Sequence, residues 1–379
     1  MLKLRRAIFV TALCLVSTEA AAATYYVRFD GNDANAGTSN AASGAWRTIA
    51  RANTVMRAGD IVNVISLNPA DTSSTSANVI RPSVSGTNAA GGAGRITYQG
   101  NTSSPQSLPV YMVDLPQRSY ITVRGFRLKN GFSMLGQTNG AAASYNVIEN
   151  CIILTRGSMR GAQFCRISNC VMRLSPSRGG AALLWTSMDD LLTRPFCQAD
   201  TLQDNVIDLG ASGGDNRTFW VRGFSNNCVF ARNRVTAVCD KTSNPDPGLT
   251  TYMIAIHESF ANYYHDNRWT FEMNNQLDNQ ARWSAIALRS GSHHNLFERD
   301  TMFFGVNSAE TISGDLSLGQ SSGVDSAEVY ANRWKGCYFK VKNTTIRYQY
   351  RLKDGLIENC VFVNLRRPAL EFEIGRAHV

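Results

Sequence analysis

Phe230-Ala-Arg-Asn233-Arg-Val235 returns one repeat on as Tyr264-His-Asp-Asn267-Arg-Trp269, and again as Phe297-Glu-Arg-Asp300-Thr-Met302. The shared frame is an apolar residue, two others, Asn or Asp, one more, and an apolar residue again. Val147 to Ile152, Leu202 to Ile207, Val329 to Trp334 and Leu356 to Val361 repeat it around Asn150, Asn205, Asn332 and Asn359. A further copy around Asn169 carries Arg166 at its first position, and Gly125 replaces Asn within Tyr120 to Leu128. Between Gly125 and Asn359 the frame recurs at near-regular intervals. Self-similarity at such a period, roughly 30 residues, marks a solenoid built from one supersecondary unit per repeat.

Within each copy the flanks alternate with period two, as half-buried strands do. The apolar residues either side of Asn are an odd number of positions apart, which flips the phase, so a tight turn must sit at the Asn. Asn and Gly tolerate the left-handed backbone such a corner needs, and stacked Asn side chains can bond the coils above and below. Residues 24–373 therefore read as one elongated all-β domain, a single-stranded parallel β-helix of three-sided coils that bury a continuous core. Thr72 to Gly94 and Asp315 to Ser326 read as lateral loops, because the repeat resumes after them.

The ends read differently. Met-Leu-Lys-Leu-Arg-Arg, the apolar run Ala7 to Val16 and Ala21-Ala22-Ala23 have the order of a cleavable export signal, residues 1–23. That run is too short to span a bilayer comfortably and no comparable stretch follows, so no membrane span is expected. Ile374-Gly-Arg-Ala-His-Val379 resembles a translated sequencing adapter, so residues 374–379 are expected to be an artefact that truncates the domain. Removing Lys3, Arg5, Arg6 and Arg376 from 38 basic residues, and Glu19 from 29 acidic ones, leaves a net charge of about +6. That balance suits an acidic polymer and equally suits an ordinary soluble surface. Of the cysteines after the leader, Cys151, Cys170 and Cys360 directly follow Asn and are expected on the coil wall. Cys197, Cys228 and Cys239 lie in looser segments and are the better disulfide candidates in an exported chain. No glycine-rich phosphate loop joins a strand to a helix, so neither nucleotide chemistry nor nucleic acid is expected.

Tyr25-Tyr26-Val27, Asp30-Gly-Asn-Asp33, Gly37-Thr-Ser39, Trp46-Arg-Thr-Ile49 and Gly59-Asp-Ile-Val-Asn-Val64 resemble the opening of many bacterial pectate-lyase-like proteins. The resemblance implies a right-handed parallel β-helix opened by a strand, a loop and a short capping helix. The apolar spacing of Trp46 to Met56 fits a helix that plugs the open end of the core. These motifs mark a fold and carry no catalysis.

Aligning the strands that precede each corner Asn gives a second register. Val221-Arg222, Ile256-His257 and Leu288-Arg289 each end an apolar strand with an outward basic residue. At about 4.8 Å per coil, Arg222, His257 and Arg289 would form a basic row about 10 Å long. β-Elimination of a uronic-acid polymer needs such a row: guanidinium groups to neutralise the carboxylate and acidify the C5 proton, and a base to remove it. His257 is the candidate base, with Arg289 and Arg222 on the carboxylate. Solvated residues along a groove edge would give the same row.

Leu288-Arg289-Ser290-Gly291 followed by His294-Asn295 is similar to an element of polysaccharide lyase family 6, the chondroitinase B and alginate lyase group. That resemblance implies the catalytic arginine role for Arg289. The sequence departs from the family where His257 stands for a lysine, and where Thr250 and Tyr252 stand for calcium-binding glutamates. Calcium therefore remains only a possible cofactor.

His293 and His294 follow Arg289 and can assist as acid or base, although Gly-Ser-x-His-Asn is also a common turn. Trp220, Tyr252, Tyr263 and Trp283 are candidates for stacking on sugar rings or for packing under loops. A glycoside hydrolase needs two carboxylates across one bond; Asp189, Asp190, Asp204, Asp208 and Asp215 are present but share no such register. The spacing of Asp200, Asp204 and Asp208 is compatible with a calcium site or with solvated edges. The readings are an exported lyase on an anionic polysaccharide, a non-catalytic glycan-binding or structural β-helix, and a hydrolase.

Overall fold

The computed structural model describes residues 22–68, 76–137, 140–174, 181–186, 196–209, 217–240, 251–274, 283–289, 291–305, 315–317, 329–341, 345–348, 352–364 and 371–372, with only the backbone described in parts of several strands. Residues 1–21 of the leader and residues 374–379 lie outside them.

One coil shows the plan. Arg217–Arg222, Val229–Ala231 and Arg234–Asp240 follow in turn, and the next coil restarts at Thr251–His257. These strands belong to three parallel sheets, numbered 1, 2 and 3 in that order, which contain 11, 12 and 10 of the described strands. The expected parallel β-helix is the fold observed, and parallel crossovers of this kind are right-handed as a rule.

Helix α1, Ile49–Val55, covers the N-terminal end of the core and is shorter than the expected span from Trp46 to Met56. Thr48 caps it, accepting from the Arg51 N–H, while Ile49 and Ala52 are buried. Its buried Asn53 ties the cap to the first coils: Nδ2 donates to Val79 O at 2.7 Å, and Oδ1 accepts from Tyr98 Oη at 2.8 Å. Trp46 is instead an extended residue bridged to Val27, and its ring lies across Gly37, where a Cβ would come within 2.3 Å.

Two corners shape the coil. At the second, between sheets 2 and 3, one residue per coil is left-handed: Gly125, Asn150, Asn169, Asp204, Arg232, Asp266, Arg299, Gly336 and Asn359, with φ between 51° and 79°. The next residue points inward, and Asn205, Asn233, Asn267 and Asp300 make a ladder there. Asn233 Nδ2 donates to Asn267 Oδ1 at 3.0 Å and to Leu202 O at 2.9 Å; Asn267 Nδ2 repeats this with Asp300 Oδ1 and Phe230 O. A left-handed non-glycine residue costs about 1–2 kcal/mol, and the buried bonds that each rung satisfies offset it.

The sequence frame thus merges distinct positions. Asn150, Asn169 and Asn359 are the left-handed residues, whereas Asn205, Asn233, Asn267 and Asp300 are the inward rungs one step later. Asn332 belongs to the first corner, between sheets 1 and 2, where Asn262, Asn295 and Asn332 form a second ladder at 3.0–3.1 Å. The cause is physical: both corners turn with the same pair, a left-handed residue followed by an inward polar one.

The cysteines follow these ladders. Cys151, Cys170 and Cys360 take second-corner rungs, as expected for wall positions, and no disulfide joins any of the seven cysteines whose side chains are described. The disulfides expected at Cys197 and Cys228 are not present: both thiols are buried in the wall, Cys197 Sγ on Met159 O at 3.2 Å and Cys228 Sγ on Asn226 O at 3.4 Å, and Cys228 is itself a first-corner rung whose N–H donates to Asn262 Oδ1 at 3.0 Å. Cys239's side chain lies outside the described set. The expected lateral loops also need correction. Val79–Ile80 pairs with Met112–Val113 and Asp315–Ser317 with Thr345–Arg347, so both segments supply strands to sheet 1.

Inside, rings stack coil on coil: Phe230, Tyr264, Phe297 and Trp334 lie 4.7, 4.5 and 3.8 Å apart, centroid to centroid. Each such pair adds about 0.5–1.5 kcal/mol beyond simple burial.

Candidate functional site

Alternation on sheet 1 decides which side chains face outward. Phe219, Val221, Ile254, Ile256, Ile286 and Leu288 are all at most 2% exposed and fill the core. Trp220, Arg222 and His257 therefore stand on the outer face. Strand register pairs Arg222 with His257 and His257 with Arg289 on successive coils, which is the column expected from sequence. The side chains of Arg289, Tyr252 and Trp283 lie outside the described set; their backbones belong to the strands Trp283–Arg289 and Thr251–His257.

The same column continues upstream through Thr186 to Arg160. Sequence reasoning missed Arg160. The signal was there, since Met159-Arg160-Gly161 repeats Val221-Arg222-Gly223, and both glycines adopt positive φ, 69° and 63°, directly after the arginine.

The turn after the column is fixed by serine hydroxyls. Ser225 Oγ donates to Arg222 O at 2.7 Å and Ser259 Oγ to His257 O at 2.9 Å. Trp220 is 9% exposed, the Arg222 guanidinium carbon sits 4.0 Å from its ring centroid, and the His257 ring meets it edge-on at 5.9 Å. Trp220 thus orders the two polar groups and has its outer face taken by Arg222.

The other sequence candidates lie elsewhere. Tyr263 is on sheet 2, stacked on His265 at 4.4 Å with its hydroxyl on Glu298, so it is not brought to the column. His293 and His294 are at the first corner. His293 stacks between Phe260 and Tyr330 at 4.9 and 4.5 Å, and the two Nδ1 atoms are 2.9 Å apart. Burial, then the neighbouring His294, holds His293 below the ordinary histidine value.

Of the carboxylates, Asp204 is at the second corner bonded to Arg232 at 2.7 Å, and Asp208 is on an exposed position of sheet 3. Neither faces the sheet 1 column, and Asp189, Asp190 and Asp215 lie outside the described residues. Asp200 is neither a solvated edge nor part of a convergent triad: it is 1% exposed, accepts from the Cys165 N–H at 2.8 Å, and burial raises its carboxyl well above the usual range. Asp200, Asp204 and Asp208 therefore do not fit a calcium ion. Among the described residues no group of three or more His, Cys, Asp or Glu is placed to hold a metal, and no helix is long and apolar enough to cross a membrane.

No family model and no curated protein matches the chain. Solved structures similar to it include a GH136 lacto-N-biosidase from Eubacterium ramulus, at 12% identity over 93% of this chain and 68% of that one, TM-score 0.43. A rhamnogalacturonan lyase is 12% identical over 94% of this chain and 88% of that one, TM-score 0.30. An alginate lyase from a Paenibacillus species is 10% identical over 84% and 93%, TM-score 0.35. Likeness at these scores carries no argument about chemistry; the chain is a parallel β-helix on the strength of its own strand pairing.

Proposed function

We propose that this chain is an exported β-helix protein that binds an anionic uronic-acid polysaccharide along the outer face of sheet 1 and cleaves it by β-elimination. The observation that carries the reading is the registered column Arg222, His257, Arg289, with Arg160 two coils upstream of Arg222. Guanidinium groups two coils apart, about 10 Å, with His257 on the coil between Arg222 and Arg289, suit a carboxylate-bearing chain lying along the solenoid axis.

In the reaction, Arg222 and Arg289 hold the uronate carboxylate and stabilise the charge that builds on it as the C5–H bond breaks. His257 takes that proton. The electron pair forms the C4–C5 double bond, and the C4–O bond breaks with its pair leaving on the glycosidic oxygen, which takes the proton from His257 to become a hydroxyl and returns the imidazole to its neutral form. Trp220 keeps Arg222 and His257 in place by ring contacts at 4.0 and 5.9 Å.

The test is to incubate the folded chain with alginate, pectate and chondroitin or dermatan sulfate, with and without calcium, and follow the ultraviolet absorbance of the unsaturated product. A signal lost in His257→Ala and Arg289→Ala supports elimination. Binding of these polymers without product, weakened by Arg222→Ala, would favour a non-catalytic glycan-binding role. The stacking of Arg222 on Trp220, which pre-orders a cation without any reacting group, is the observation that keeps this second reading in view.

A further inference from the structure

A groove of about 630 Å³ opens on a different part of the solenoid, over the outer face of sheet 2 in the N-terminal half. Its floor includes Arg95, Arg124, Glu149 and Arg166, and its walls are Gly91-Gly92 on one side and Tyr145 with Phe164 on the other. Register explains how distant residues meet. Thr97, Thr122, Val147 and Arg166 form one outward column, and Gln99, Arg124, Glu149 and Ser168 the next. The groove thus spans three coil steps, roughly 14 Å.

Charge in the groove is unbalanced: three arginines face one carboxylate. Glu149 is held by Arg166 at 3.0 Å and lies 3.8 Å from Arg124, whose Nε donates to Gln99. The side chains of Arg124 and Arg166 remain 41% and 47% exposed, so each keeps N–H donors turned to solvent. Arg95 is half-buried and pinned to Thr122 Oγ1, Ile121 O and Tyr145 O at 2.6–2.8 Å, which fixes a cation in the floor.

Beside these cations runs an external ring ladder, Tyr120 on Tyr145 at 4.8 Å and Tyr145 on Phe164 at 4.9 Å. All are the left-handed residues of the first corner, and the next such residue is Ala199, so the ladder ends at Phe164, which is 44% exposed. Fixed guanidinium groups next to an exposed aromatic ring are the two elements that hold an acidic pyranose: charge and bidentate hydrogen bonds for the carboxylate, a flat apolar surface for the ring.

We propose that this sheet 2 groove is a second saccharide-binding site, for a short stretch of uronate-bearing glycan, separate from the sheet 1 column. It does not depend on the column being catalytic.

The test is calorimetric titration of the full chain with trimers of galacturonate, mannuronate and guluronate, with a neutral galactose trimer as comparator. Because His257→Ala leaves the groove intact, binding should persist in that variant. Arg166→Gln or Arg124→Gln should weaken it about tenfold, the change expected for one charge-assisted hydrogen bond, and Glu149→Gln should tighten it by removing the competing carboxylate. Circular dichroism of each variant verifies folding. Failure of all three uronate trimers to bind, equal binding of the neutral trimer, or binding lost in His257→Ala and unaffected by Arg166→Gln and Glu149→Gln would each overturn the proposal.

Discussion

The guanidinium carbon of Arg222 lies 4.0 Å from the ring centroid of Trp220, two residues earlier on the same strand. Two residues along an extended strand return to the same face, so the indole forms the support on which the cation rests. His257, on the next coil, touches the edge of the same ring. One side chain therefore sets the position of two members of the column. Trp220→Phe, which keeps a ring and most of the packing, should lower kcat/KM on the responsive polymer by about 2–5-fold through loss of the stronger cation–π contact. Steady-state kinetics of folded protein reads this. An unchanged kcat/KM would mean Arg222 does not work from its stacked position.

The second-corner ladder should be the costliest place to cut. Asn233 accepts from both the N–H and Nδ2 of Asn205 at 3.2 and 3.0 Å, and gives its own Nδ2 to Leu202 O. Asn233→Ala strips these bonds from the buried Asn205 N–H and Leu202 O and leaves Asn205 Nδ2 with its bond to Ile167 O, at a cost of about 3 kcal/mol. Ala261→Gly offers the opposite case, since Ala261 sits at φ 54° and carries no ladder bond through its side chain. Relieving that strain should stabilise by up to about 1 kcal/mol. Denaturant unfolding measures both, and a destabilised Ala261→Gly would contradict the strain argument.

Asp300 replaces Asn in this ladder, and burial pushes its carboxyl up to about 7 although it accepts bonds from Asn267 and Trp269. Because the folded-state value lies above that of an unfolded aspartate, folding favours the protonated form. Stability from this group is greatest below about pH 4, falls as pH rises toward 7, and is flat beyond, a change of up to about 4 kcal/mol. Asp200, also buried and raised, acts in the same direction. Asp300→Asn should flatten the fall between pH 4 and 7, read as unfolding midpoint against pH. An unaltered slope would contradict the assignment.

Much of this architecture was legible because the corner residues are chemically constrained. The buried rungs are mostly Asn, Asp or Cys, so their spacing reports the coil, whereas the left-handed position before each rung also takes residues such as Arg232, Tyr145 and Ala261. The same constraint hid the register: Asn150 and Asn205 match in sequence but differ by one position in space, and Asn332 belongs to the other corner. The Arg222, His257, Arg289 column was readable because each follows a buried apolar residue on sheet 1. The sheet 2 groove was not readable from its arginines, which alternate with ordinary polar residues. Its aromatic wall left a trace, since Tyr120, Tyr145 and Phe164 stand at one common offset before Gly125, Asn150 and Asn169. Asp200 was misread because a buried ladder aspartate and a solvated one look alike until the coil phase is known.

The most direct measurement is the ultraviolet absorbance of unsaturated uronate product when folded protein meets alginate, pectate and chondroitin or dermatan sulfate, each with and without calcium. Elimination at the sheet 1 column gives a rise on at least one polymer that is abolished in His257→Ala and Arg289→Ala and retained in Arg166→Gln. A flat trace on every polymer, or a rise that survives His257→Ala and Arg289→Ala, would contradict it.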